Sequence, residues 1–303
     1  MTTPLSRFRR MRELETTKNA QLLLADAGDA STTVLIKRMP LSVTDVHPEH
    51  AEGASPSSSA DAVFTGFDDP LQELAVAELL LHVGGHPSIV RCLEHFVKGD
   101  SLFIVTEFCT GGDLHRYLVD KPSQRLEIPE ATATFAQIAR GVAFLHAHNI
   151  AHRDLSLENV VRDTRGDCKI TDFGLSVDVT MLTASPQPFR CRDLVGKANY
   201  MAPEVVAGDW YDPKAADVWS LGILLFMLVT GSPLVSTTEA SNPAFQAFKR
   251  ANVQRVLQQW GFEAIAASPL GELLGLLLQV DPAQRPTIDA VLQHRRALLL
   301  AAA

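Results

Sequence analysis

A chain of 303 residues is long enough for one large domain or two modest lobes, and either can bury a full core. Hydrophobic residues make up 46% and charged residues 20%, with 18 Gly and 17 Pro, which excludes collagen-like, coiled-coil and wholly disordered chains. The formal net charge of -8 argues against a phosphate-neutralising surface, and hence against nucleic acid as a main partner.

The first residues carry Arg7, Arg9, Arg10 and Arg12 without the apolar stretch of a signal peptide behind them. Thr32 to Ile36 is a β-branched, strand-like run that ends in Lys37. Between Met39 and Val90 there is no Lys or Arg, and the run Glu52 to Ala60 is too poor in apolar groups to offset its ordering entropy. Residues 41–68 therefore read as a mobile insertion. Apolar spacing predicts a helix from Leu71 to Val83. Strands are expected over Ile89 to Phe96 and Leu102 to Phe108, around the turn at Gly99, and helices over Glu130 to His148, Ala215 to Thr230 and Leu270 to Leu277. Strands first and helices later make an α+β chain in two segregated lobes. The longest apolar run, Leu221 to Val229, is too short to span a bilayer. Cys92, Cys109, Cys168 and Cys191 are scattered without zinc-like spacing, which fits a reducing, cytoplasmic setting.

Three motifs then appear in a fixed order: His152-Arg-Asp-Leu-Ser-Leu-Glu-Asn159, Asp172-Phe-Gly174 and Ala202-Pro-Glu204. The set resembles the catalytic loop, metal loop and activation-segment end of the eukaryotic-type protein kinases, serine/threonine class. The resemblance continues through Asp217-Val-Trp-Ser-Leu-Gly222 and Asp281 to Pro286 and covers about residues 8–296. It implies a β-rich small lobe over 8–108 that includes the insertion, a helical large lobe over 109–296 and a short tail over 297–303. It also implies ATP and Mg²⁺ as cofactors and Ser/Thr-containing proteins as substrates, with no role for nucleic acid or membrane.

On that pattern Asp154 is the base for a substrate hydroxyl, Asn159 and Asp172 are Mg²⁺ ligands, and Lys37 holds the α/β-phosphates. The carboxylate partner of Lys37 is expected to be Glu78, counted from His86-Pro87, with Glu73 as the alternative. Thr106 is the gatekeeper, the backbones of Glu107 and Cys109 face the adenine edge, and Asp113 sits near the ribose. Leu14, Leu22 and Val161 complete the implied nucleotide surroundings. Glu204 and Arg285 match an architectural buried ion pair.

The departures are as informative. The family's three phosphate-loop glycines are Glu15, Thr17 and Ala20 here, so close backbone approach to phosphates is expected to weaken, with Lys18 and Asn19 in partial compensation. Leu35 replaces the usual alanine over the adenine. Ser156 stands where the family has a catalytic-loop lysine, and Lys197 where it has a threonine, so the cation changes sides across the substrate hydroxyl. Asp193 occupies the usual activation phosphothreonine position and is expected to clamp Arg153, with Thr180, Thr183 and Ser185 as alternative regulatory sites. The expected activity is Ser/Thr protein phosphorylation. The alternative is a pseudokinase, a binding module without turnover, on account of the lost glycines and Leu35.

Overall fold

The structure is a computed structural model that describes residues 4–17, 19–28, 32–41, 69–180 and 190–301, with side chains through residue 294. The expected insertion beyond Leu41, together with Lys18, Thr183 and Ser185, lies outside the described residues.

The small lobe is one antiparallel sheet of β1 (Phe8–Thr16), β2 (Gln21–Ala27), β3 (Thr32–Pro40), β4 (Cys92–Lys98) and β5 (Ser101–Glu107), in the order β1-β2-β3-β5-β4. Alternation along β3 divides its residues between two faces. Val34 and Ile36 join Phe8, Phe103 and Val105 in a small cluster on the outer face. Leu35 and Lys37 therefore share the opposite face, and register sets Leu35 beside Thr106 and Lys37 beside Ile104. The strand expected from Ile89 begins only at Cys92. Val90 instead donates to Ile170 of the large lobe at 2.9 Å, and Ile170 donates to Ser88 at 2.9 Å.

Helix α1 (Pro70–Val83) starts where Pro70 follows Asp69, whose side chain accepts from the Leu71 amide at 2.8 Å, and it stops at Gly84 with φ of 81°. Its buried side is Glu73, Val76, Ala77 and Leu80. The Asp69 amide donates to the Gly174 carbonyl at 2.9 Å, so the first turn of α1 is pinned against the metal-loop motif.

The large lobe contains α2 (Leu114–Val119), α3 (Ile128–Ala147), β6 (Ile150–Ala151), β7 (Val160–Arg162), β8 (Cys168–Ile170), β9 (Val177–Asp178), α4 (Pro203–Val206), α5 (Pro213–Thr230), α6 (Pro243–Gln259), α7 (Glu263–Ala266), α8 (Pro269–Leu277) and α9 (Ile288–Ala301). Helix α5 is its axis. By length and composition α5 could cross a membrane, yet 89% of it is buried inside the lobe, its own Trp219, Leu224 and Phe226 fully enclosed. Gly222 lets α8 approach closely, since a Cβ there would meet Leu278 at 2.7 Å. The α+β, two-lobed architecture is the expected one.

Candidate active site

The catalytic loop between β6 and β7 hangs from one buried carboxylate. Asp217 of α5 accepts the His152 amide through Oδ2 at 2.8 Å and the Arg153 amide through Oδ1 at 2.8 Å, while His146 Nε2 lies 2.9 Å from Oδ2. An acid only 1% exposed inside an apolar helix is costly unless its oxygens are filled, and here they are. Arg153 takes a positive φ of 64° as the chain turns over this anchor.

Asp154 emerges from that turn. Asn159 donates its Nδ2 to the Asp154 carbonyl at 2.8 Å and to Oδ2 at 2.7 Å, and the Lys197 amide donates to Oδ1 at 3.2 Å. Burial raises the Asp154 pKa above the ordinary carboxylate value, against the opposing pull of Lys197 and His152. The carboxylate is thus oriented, and its affinity for a proton is raised, as a general base requires.

Across the cleft, Lys37 Nζ lies 2.7 Å from Glu73 Oε2 and 2.8 Å from Asp172 Oδ1. The partner is Glu73, which corrects the expectation of Glu78. The two glutamates are five residues apart, so about 140° separates them around the helix. Glu73 falls on the buried side of α1, whereas Glu78 is exposed beside His95 at 3.9 Å. Counting along the chain from His86-Pro87 ignored that rotation. The apolar spacing of Val76, Ala77 and Leu80 carried the signal, because Glu73 sits in register with it.

Asp172 has a φ of 63°. Burial alone would raise its pKa, but the Lys37 ammonium and hydrogen bond outweigh burial and hold it below the usual carboxylate range. His152 Nε2 lies 3.1 Å from the Thr171 carbonyl and its ring meets Phe173 at 5.4 Å between centroids, so the two loops pack as a unit.

The crossing between lobes is braced from behind. Glu107 accepts from Lys169 Nζ at 2.7 Å and from the Arg91 amide at 2.8 Å, and its own amide donates to the Arg91 carbonyl at 3.0 Å. These contacts were not legible in the motifs. Cys109 is buried, and burial pushes its thiol up to about 11, which makes it a small apolar wall and not a nucleophile. Asp113 caps α2 by accepting from the Arg116 amide at 2.7 Å and bridges through its backbone to Val161. Leu22 pairs with Lys37 across β2 and β3, and Leu14 lies at an irregularity of β1, 47% exposed.

The hairpin between β1 and β2 closes on itself. Thr17 donates its amide to the Ala20 carbonyl at 2.9 Å, and its Oγ1 accepts from the amides of Ala20 at 3.1 Å and Asn19 at 3.3 Å. Three backbone N–H groups that a glycine loop would offer to phosphates are already occupied.

Beyond the metal loop, one guanidinium holds both ends of the activation segment. Arg153 Nε donates to the Leu175 carbonyl at 2.7 Å and Nη1 to Asp193 Oδ2 at 2.9 Å. Lys197 Nζ donates to Ser156 Oγ at 2.7 Å and approaches Asp154 Oδ2 at 3.4 Å. Arg285 meets Glu204 with two parallel bonds of 2.6 and 2.7 Å and is itself 8% exposed.

Metal fit follows from the donor set. Asn159 spends its amide nitrogen on Asp154, which leaves the amide oxygen as its ligand atom, and Asp172 is an ionised carboxylate. Oxygen donors of this kind suit Mg²⁺, which completes its shell with water and phosphate oxygens. Among the described residues no group of three or more His, Cys, Asp and Glu could enclose a metal by itself.

The comparisons agree with this geometry. The family model described as "Protein kinase domain" matches residues 66–296. The chain is 40% identical over 162 residues to the CBL-interacting serine/threonine-protein kinase 24 of Arabidopsis thaliana, covering 53% of this chain and 34% of that protein. It is 32% identical over 209 residues to the carbon catabolite-derepressing protein kinase of Secale cereale, covering 69% and 38% respectively. Against serine/threonine-protein kinase PLK4 of Danio rerio it is 32% identical over 209 residues, 69% of this chain and 21% of that protein. The matched region thus spans between about a fifth and two fifths of the length of these relatives.

Proposed function

Because the chain belongs to the protein kinase family, we propose that it transfers the γ-phosphoryl group of ATP to Ser/Thr hydroxyls of protein substrates. The observation that carries the proposal is the paired geometry around the cleft. Asp154 is held by Asn159 on one side and the activation segment on the other, while Lys37 bridges Glu73 and Asp172. A protein freed from catalysis has no need to keep both arrangements.

Asp154 takes the proton of the substrate hydroxyl as its oxygen attacks the γ-phosphorus. Lys37, oriented by Glu73, binds the phosphates behind it. Asn159 and Asp172 would hold Mg²⁺, which supplies charge neutralisation between the nucleotide phosphates. Thr106, Leu35, Leu22, Leu14 and Val161 would surround the adenine, and the backbones of Glu107 and Cys109 would meet its edge. The substrate class is that of the Ser/Thr kinases that this chain resembles.

A second reading, a nucleotide-responsive binding module, draws on the self-closed hairpin and Leu35. One experiment divides the two: transfer of radiolabelled γ-phosphate to a Ser/Thr peptide library by wild type and by Asp154→Asn. Catalysis predicts a fall of about 10²–10⁴-fold in the variant at unchanged stability. Wild-type transfer no higher than that of Asp154→Asn would establish the binding module instead.

A further inference from the structure

We propose that Lys197 supplies the cation that stabilises the phosphoryl group during transfer, carried to Asp154 by the activation segment. This rests on the reading of the chain as a phosphotransferase.

The placement of Lys197 differs from that of a solvated surface lysine. Its ammonium lies 2.7 Å from Ser156 Oγ, 3.4 Å from Asp154 Oδ2 and 3.9 Å from Glu158 Oε2, and its side chain is 33% exposed. Its backbone amide reaches the other oxygen of Asp154 at 3.2 Å, so main chain and side chain both converge on the base. Ser156 is fully buried, and its hydroxyl oxygen is a fixed acceptor for the ammonium. Lys37, by contrast, is engaged by Glu73 and Asp172 on the nucleotide side. Among the described residues, Lys197 is therefore the lysine that the structure brings against the base.

The backbone is built for this approach. Gly196 has φ of 101°, and a Cβ there would meet the Arg153 carbonyl at 2.8 Å. Only glycine lets the segment descend onto the catalytic loop at this point. Ser156 and Lys197 also leave room for a single cation, since a second ammonium at position 156 would stand against the first.

In the reaction, the substrate oxygen bonds to the γ-phosphorus and its proton passes to Asp154. The bond to the β,γ-bridging oxygen breaks, and its electron pair leaves with ADP. The Lys197 N–H groups donate to the oxygens of the phosphoryl group in flight and are unchanged at the end.

The test compares wild type, Lys197→Met, Asp154→Asn and the relocation variant Ser156→Lys/Lys197→Thr, reading kcat, the Kd for ATP by calorimetry with Mg²⁺, and melting temperature. Lys197→Met should lose about 10²-fold in kcat, the scale for one preorganised donor, with Kd within about two-fold of wild type. The relocation variant should recover kcat to within about ten-fold of wild type. Wild-type kcat in Lys197→Met overturns the inference. So does a relocation variant as inactive as Lys197→Met, because a cation regained without activity means a structural role. Wild type no faster than Asp154→Asn overturns the phosphotransferase reading, and this inference with it.

Discussion

The two sides of the cleft follow opposite designs. On the large-lobe side the catalytic loop and the end of the activation segment are held by buried anchors: Asp217 beneath His152 and Arg153, Asn159 beneath Asp154, Arg285 beneath Glu204. On the small-lobe side the phosphate hairpin satisfies its own amides, and Leu35 shares the cleft face of β3 with Lys37. The difference separates two tasks. On the proposed function, the residues assigned to the base and to Mg²⁺ keep their support, while the cradle proposed for the nucleotide is loosened. Turnover and nucleotide affinity should therefore respond to different residues.

The largest effect is expected where an anchor is cut. Arg285→Met strands the Glu204 carboxylate in the large lobe and should cost about 3–5 kcal/mol of stability, measured by chemical denaturation. Adding Glu204→Leu should restore a large part of it, since the unpaired charge is then gone. Equal stability in Arg285→Met and wild type would show that the large lobe is not built around its buried ions.

A smaller effect is expected at the edge of that design. Asp193 is 67% exposed in its side chain, so its ion pair with Arg153 is worth about 1 kcal/mol, or about five-fold in activity for Asp193→Ala. Phosphatase treatment should leave the wild type active, because a carboxylate already occupies the Arg153 site. Loss of activity on dephosphorylation, with Asp193→Ala unaffected, would transfer the clamp to a phosphorylated residue.

The small lobe should respond in the opposite sense, by improvement. Leu35→Ala and Thr17→Gly remove bulk beside Thr106 and release the Asn19 and Ala20 amides, and together they should tighten ATP binding by up to about thirty-fold, each freed hydrogen bond being worth about 1 kcal/mol. Kd by calorimetry checks this. No gain from either change would mean that the cleft face of the sheet does not limit binding.

The same contrast explains what was legible in the sequence. Asp154, Asn159, Asp172 and Glu204 could be named in advance because each stands inside a short local motif that is read without knowledge of the fold. Lys37 could be named from the strand that ends in it. Glu73 was placed second to Glu78 because helix rotation, not distance along the chain, decides which glutamate turns inward. The start of β4 was misplaced because the Ser88 carbonyl and the Val90 amide hydrogen-bond across to Ile170 of the large lobe instead of into the sheet. Helix α6 escaped a periodicity reading for another reason. It breaks at Asn252, with φ of 67° and ψ of 171°, where the Asn side chain caps a second segment at Arg255. The Glu107–Lys169 brace joins residues 62 apart, which single-sequence patterning does not connect.

One measurement tests the central claim most directly: kcat and the ATP Kd of the wild-type chain, determined side by side with Leu35→Ala/Thr17→Gly and Asp154→Asn. An intact large-lobe site beneath a loosened cradle predicts measurable kcat with weak ATP binding in wild type. It predicts tighter binding at similar kcat in the double variant, and lost kcat at unchanged Kd in Asp154→Asn. Tight ATP binding by wild type with no turnover, unaffected by Asp154→Asn, would contradict it.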